Sequence, residues 1–250
     1  MPDLSHYLSD TELDRLVAAA LAEDVGSGDI TSEAVIPAEA RLRAVMVARD
    51  AMTVAGLPVA AAVFRACDRD LVLHQKVADG DTVAVGTVLM EISGRARAVL
   101  TAERTALNFV QHLSGIATLS RAFVDRVAGT GARIRDTRKT IPLLRALEKY
   151  AAACGGAENH RMGLFDMVLI KDNHIAARGS VAAAVAAARA AGHADIMVEC
   201  ETLTEVEAAL AAGATRLLLD NMDPPMLARA VAVVGGRAET EASGGVRLET

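Results

Sequence analysis

Hydrophobic positions recur with one rhythm in the first part of the chain and another in the second. Ser9 is followed three residues later by Glu12, the spacing of a capping box, and Leu13, Leu16, Val17, Ala20 and Leu21 then recur at helical intervals. This predicts an opening helix that ends before Gly26-Ser27-Gly28. Between Arg41 and Ser93 the period shortens. RLRAVMVA, LVLHQKV and TVLMEIS read as strands separated by AGLP, ADGD and AVG turns, with a short helix from Val59 to Cys67. Residues 1 to about 100 therefore form a small α+β domain. Helical periodicity resumes over 98–115 and again over 117–127, with Leu107, Val110, Gln111 and Ser114 on one face.

From residue 132 onward short apolar runs alternate with helical ones every 21 to 35 residues. ARIRD (132–136), MVLIK (167–171), DIMVE (195–199) and RLLLD (216–220) read as strands, and AETEA (238–242) as a weak fifth. The helices between them start at Pro142 and end at Gly155-Gly156, start after Ser180, run from Thr204 to Ala212 before Gly213, and start again at Pro224. This alternation implies parallel βα units. Each strand ends in a polar residue: Asp136 leading to Arg138 and Lys139, then Lys171, Glu199, Asp220 and Ser243. In a βα barrel the carboxyl ends of the strands line one mouth, so these residues are expected to share a site. Five strands do not close a barrel, and SGGVRLET stops where a sixth helix is due.

Composition narrows the function classes. Of 250 residues 52% are hydrophobic and 23% charged, which excludes a disordered chain. Aromatic residues are 2%, too few for a stacking platform for single-stranded nucleic acid. With 26 basic and 32 acidic residues the net charge is −6, so no general field draws the chain to nucleic acid or to an anionic membrane. The N-terminus lacks the order of a signal peptide and no apolar run approaches ~18 residues. Cys67, Cys154 and Cys200 form no CxxC pair. A soluble protein of the reducing cytoplasm is expected, without thiolate-bound metal.

Against that acidic background the cations concentrate. Arg138 and Lys139, flanked by Thr137 and Thr140, offer a planar fork and a mobile point charge to a carboxylate or phosphate. GGAENHRMGLFD (155–166) presents Asn159, His160 and Arg161 in succession after a tight turn. Lys171 leaves an apolar strand and calls for a carboxylate partner, Glu199 or Asp220. Asp172, Asn173 and His174 suit holding that loop or touching phosphate. Glu199 and Asp220 suit Mg2+ held through water, or ribose hydroxyls. Ser243-Gly244-Gly245, a strand end read as opening into a helix, suits a phosphate. Each motif alone also reads as an ordinary solvated loop. Together they point to a substrate with several negative charges and a sugar or metal. A lysine-based aldolase on a barrel, and a catalytically inactive binding relative, are the competing readings.

RDTRKT, LRALEKYAAACGGAENHRMGLFD, VLIKDNHI, LLLDNM and EASGG, with LAEDVGSGDITSEAVIP and LTAERTALNFVQHLSGIAT, closely resemble the quinolinate phosphoribosyltransferase family from about residue 10 to the last residue. Molybdenum-locus proteins share TRKT but are not expected to carry KDNH. The resemblance implies an α/β fold with a small N-terminal α+β sandwich-like domain over 1–110 and an incomplete parallel α/β barrel over 111–250. It implies one further strand, loop and helix, with a second phosphate loop, beyond the last residue given. The implied reaction takes quinolinate and phosphoribosyl pyrophosphate to nicotinate mononucleotide, pyrophosphate and CO2 with Mg2+. By the same resemblance Arg138, His160 and Arg161 bind the quinolinate carboxylates, and Lys139 and Lys171 lie between substrate and phosphates. Glu199 and Asp220 serve ribose and metal, and Ser243, Gly244 and Gly245 bind phosphate. A homodimer is implied, with Arg104 crossing into the partner's site.

Overall fold

The structure, a computed structural model, describes residues 2–249. It packs as two compact units, Met1–His160 and Arg161–Thr250. The 110/111 division drawn from the sequence falls inside a continuous helix of the first unit.

In the first unit Ser9 caps helix α1, Asp10–Val25. Its Oγ accepts the Glu12 N–H, and the Glu12 carboxylate accepts the Ser9 N–H at 2.8 Å, which completes the capping box. A short helix α2, Ile30–Val35, follows with Asp29 as its cap. Six residues are too few to show a helical period, so this helix has no signature in the sequence. Strands β1 (Arg41–Val47), β2 (Met52–Thr53), β3 (Val72–Gln75), β4 (Thr82–Val83) and β5 (Val88–Arg95) form two antiparallel sheets, ordered β1-β5-β3 and β2-β4. Helix α3, Leu57–Cys67, contributes Leu57, Ala60, Val63 and Phe64 to the core shared with Met46, Leu89, Met90 and Ile92.

Helix α4, Ala96–Arg126, runs 31 residues without the predicted break near Gly115. A glycine inside a helix costs about 1 kcal/mol. The buried Val110, Leu113, Ser114 and Ala117 on either side hold the helix through it. Helix α5, Arg145–Cys154, packs Leu147, Tyr150 and Ala151 against Leu113 and Ala117 of α4. A Cβ at Gly155 would collide with the Ala117 carbonyl, so only glycine allows this approach. α5 starts at Arg145 rather than Pro142, because Leu143 takes a left-handed φ of 70° and interrupts the helical path.

ARIRD is not a strand. It makes one parallel bridge, Arg135 to Glu158, where the Glu158 carboxylate draws in Arg133 at 2.9 Å and Arg135 at 3.4 Å. One apolar residue, Ile134, between two arginines offers no buried face on which a longer ladder could rest.

The second unit is a parallel sheet of β6 (Val168–Ile170), β7 (Ile196–Cys200), β8 (Arg216–Asp220) and β9 (Glu239–Ser243), in that order. Helices α6 (Asp172–Arg178), α7 (Val181–Ala190), α8 (Leu203–Ala211) and α9 (Pro224–Val234) connect them. Ser180, Thr202 and Asp223 cap α7, α8 and α9 through their side-chain oxygens. One face of the sheet, with Ile170, Ile196, Val198, Cys200, Leu217 and Leu219, packs on Val185, Val206, Ala230 and Val234 of the helices. The other face carries Leu169, Met197 and Leu218. The described residues after Gly245 do not begin a helix, contrary to the sequence expectation. Among the described residues no helix is long and apolar enough to cross a membrane.

Candidate active site

The side chains of a strand alternate between faces, so a residue two positions after Leu169, Met197 or Leu218 lies on the same side. Those residues are Lys171, Glu199 and Asp220, at the carboxyl ends of β6, β7 and β8. The parallel register also places Asp220 opposite Ser243. The second unit thus gathers one cation, two carboxylates and a hydroxyl along one sheet edge, on the face away from its helices.

Lys171 Nζ donates to Glu199 Oε2 at 2.5 Å, which answers the expectation of a carboxylate partner. The Glu199 side chain is 12% exposed and the lysine 44%, so the pair meets solvent from the lysine side. Asp172-Asn173-His174 is the first turn of α6 rather than a loop. His174 Nδ1 accepts the Lys171 N–H at 2.9 Å and so closes the helix start beside the lysine. Asp220 Oδ2 accepts from Asn221 Nδ2 at 2.7 Å.

Beyond Asp220 and Ser243 the two strands stay tied. The Asn221 N–H donates to the Ser243 carbonyl at 2.9 Å, and Asn221 adopts a left-handed φ of 55°. Gly244 follows at φ 84°, where a Cβ would collide with Asn221 Oδ1 and stand 2.8 Å from the Asn221 backbone nitrogen. Gly244 and Gly245 are exposed. Asn221 was not singled out from the sequence; an asparagine directly after a strand-end aspartate, a residue that tolerates left-handed backbone, is the signal that could have found it.

Arg161 opens the second unit and donates from Nη1 to the Met167 carbonyl at 3.1 Å. The turn after it is closed by Asp166, whose carboxylate accepts the Met162 and Gly163 N–H groups at 2.6 and 2.9 Å. Partial burial pushes the Asp166 carboxyl up, but these backbone donors and Arg161 outweigh it and hold it below its ordinary value.

In the first unit Arg138, Lys139 and His160 lie on two segments joined through Asp136. The Asp136 carboxylate accepts the His160 N–H at 2.8 Å and Asn159 Nδ2 at 2.7 Å. Lys139 is exposed and its backbone N–H is held by Thr137 Oγ1 at 3.0 Å. Arg138 Nε is shielded from solvent and has no hydrogen-bond partner among the described residues. A shielded guanidinium N–H without an acceptor is a group that an incoming anion satisfies. Arg104 is exposed on α4, beside the buried Ala102 and Thr105. Tyr150 is buried, packs edge-on to Tyr7 at 5.5 Å, and donates to Asp79 at 2.8 Å, so it belongs to the core. Burial also pushes the Asp79 carboxyl above its ordinary value.

The N-terminal domain of quinolinate phosphoribosyl transferase matches residues 29–114 and its C-terminal domain matches residues 116–250. The chain belongs to the quinolinate phosphoribosyltransferase family. It is 46% identical over 253 residues to the nicotinate-nucleotide pyrophosphorylase [carboxylating] of Mycobacterium leprae, covering 97% of this chain and 89% of that one. It is 42% identical over 243 residues to the probable enzyme of that name from Bacillus subtilis, covering 96% and 83%. The crystal structure of NadC from Streptococcus pyogenes superposes with a TM-score of 0.94 at 39% identity, over 100% of this chain and 88% of that one. The blocks that carried the resemblance fall in both domains of the family: LTAERT within the first and RDTRKT, NHR, KDNH and EASGG within the second. The boundary between those domains, at residue 115, lies within α4.

Proposed function

We propose that this family member transfers the phosphoribosyl group of phosphoribosyl pyrophosphate to quinolinate, releasing pyrophosphate and CO2 and leaving nicotinate mononucleotide, in the cytoplasm and as a homodimer. The observation that carries the reading is the family match across both domains. The unsatisfied Arg138 Nε supports it, since a dicarboxylate supplies the missing acceptor.

Arg138, His160 and Arg161 bind the two carboxylates, with Arg104 supplied by the partner subunit. Lys139 and Lys171 act between the acceptor and the phosphates. Ser243, Gly244 and Gly245 hold phosphate oxygens, a role that suits an exposed left-handed glycine pair able to turn its N–H groups outward.

Glu199 and Asp220 fit Mg2+. Each has one oxygen engaged, by Lys171 and by Asn221, and a second outside those bonds. Mg2+ takes one or two protein carboxylates and completes its shell with water and phosphate oxygens. When bound there, Mg2+ supplies positive charge to the departing pyrophosphate.

As the bond from the anomeric carbon to pyrophosphate breaks, the ribose gains oxocarbenium character and the quinolinate nitrogen forms the new bond. Glu199 and Asp220 face that positive charge, and Lys139 and Lys171 face the negative leaving group, so the residues stabilise charge more than they move protons. Ribosylation leaves the ring nitrogen positive. The electron pair freed when the carboxylate departs as CO2 is then held beside a cation, and a proton replaces the carboxylate. Transfer therefore precedes decarboxylation.

The test is turnover with phosphoribosyl pyrophosphate and either quinolinate or nicotinate as acceptor, with the product identified by mass. Nicotinate mononucleotide formed from quinolinate and not from nicotinate is expected. Equal use of both acceptors, or a borohydride-trapped adduct on Lys171 with a carbonyl substrate, contradicts the reading.

A further inference from the structure

Helix α5 turns two adjacent ionised side chains inward. Glu148 is 9% exposed and Lys149 1%. Burying an ammonium is costly unless its partners are well placed. Here Lys149 Nζ donates to Asp136 Oδ1 at 2.5 Å and to the His160 carbonyl at 2.9 Å. Asp136 also holds the His160 N–H, so lysine and aspartate grip both polar groups of the His160 backbone. Asn159 Nδ2 bridges Asp136 and the Lys149 carbonyl, and Tyr7 Oη donates to Asn159 Oδ1 at 2.7 Å. One residue earlier on α5, Glu148 Oε2 accepts the Ile141 N–H at 3.2 Å while its other oxygen meets His112 Nε2 at 2.9 Å.

Neighbouring residues of one helix thus fix both ends of the segment 136–141, which carries Arg138 and Lys139. Lys149 fixes the segment that carries His160 as well. At 1% exposure its ammonium is out of reach of a substrate, so anything it does for the reaction passes through Asp136 and the two segments. A well-packed apolar pair often stabilises a core as well as a buried ion pair does, so stability alone does not call for these charges.

We propose that Lys149 is a positioning residue that sets the spacing of Arg138, Lys139 and His160 for a dicarboxylate acceptor. The proposal rests on quinolinate being that acceptor, and its test separates the two. Lys149→Met leaves Asp136 uncompensated. The double variant Lys149→Met/Asp136→Asn removes both charges and keeps an acceptor for the His160 N–H, while giving up the acceptor for Asn159 Nδ2. Measured on the full-length protein are the thermal midpoint, amide exchange over 136–141 and 158–160, and KM for each substrate. The double variant is expected to regain most of the thermal stability lost in the single one. Its KM for quinolinate should stay raised by about tenfold or more, and by more than KM for phosphoribosyl pyrophosphate, since of the three positioned residues only Lys139 also faces the phosphates. Exchange over both segments should be faster by about tenfold.

A double variant with wild-type KM for quinolinate and wild-type exchange overturns the proposal. So does one in which KM for phosphoribosyl pyrophosphate rises as much as KM for quinolinate, or one that does not fold, because each assigns the pair to the core alone. If the wild-type protein fails to use quinolinate, the proposed function fails, and the exchange measurement still decides whether Lys149 fixes the two segments.

Discussion

Lys171 Nζ and Glu199 Oε2 meet at 2.5 Å where two neighbouring parallel strands end. Sequence distance between them is 28 residues, and register brings them together, since Ile170 pairs with Val198 one step earlier. Lys171→Met should lower kcat/KM by about 100-fold or more, the scale of losing one preorganised charge. Its thermal midpoint should fall as well, because the Glu199 side chain, only 12% exposed, loses its cation. Steady-state kinetics beside a melting curve checks both parts.

Gly244→Ala addresses the phosphate end of the site alone. Its φ of 84° and the clash of a Cβ with Asn221 require the loop to move. KM for phosphoribosyl pyrophosphate should rise by about tenfold with KM for quinolinate nearly unchanged. Asn221→Gly, which removes the obstructing side chain, should restore part of the loss when combined with it.

If Arg104 serves the partner's site, mixing an Arg104→Ala chain with an Arg138→Ala chain should recover activity. A random equal mixture puts about half of the dimers in the mixed form, each with one intact site of two, so about one quarter of all sites are intact and recovery to roughly that order is expected. No recovery after proven subunit exchange places Arg104 outside the site.

These predictions rest on features that the sequence revealed unequally. The Ser9–Glu12 capping box and the strands ending at Lys171, Glu199 and Asp220 were legible because short-range spacing alone sets them. Helix α6 was hidden because its start is closed by His174 rather than by a serine or aspartate. ARIRD reads as a strand because Ile134 alternates with charges, yet among the described residues its backbone pairs with nothing but the stretch around Glu158. The inward turn of Lys149 left no mark in LRALEKYAAAC, since which ionised residue a helix buries depends on what packs against it. Family resemblance supplied roles for the site residues, and tertiary structure supplied the groups that hold them.

Acid should test an ion pair of the first unit that the site does not use. Arg95 donates twice to Asp68, at 2.6 and 2.7 Å, and holds its carboxyl down at about 2 against an ordinary 3.8. A depressed carboxyl stabilises the fold above its unfolded value and loses that contribution as pH falls through the folded one. Asp68→Asn should therefore be less stable than wild type at neutral pH, with the difference shrinking between about pH 4 and pH 2. Denaturant melts of both proteins across that window check the sign.

The most direct test of the account follows the carboxylate that leaves. Quinolinate labelled in that carboxyl group is mixed with the protein, with and without phosphoribosyl pyrophosphate, and labelled CO2 and nicotinate mononucleotide are counted together. One CO2 is expected for each nucleotide, and none without the phosphoribosyl donor. Release of CO2 at the full rate in the donor's absence, or nucleotide formed without CO2, would contradict the account.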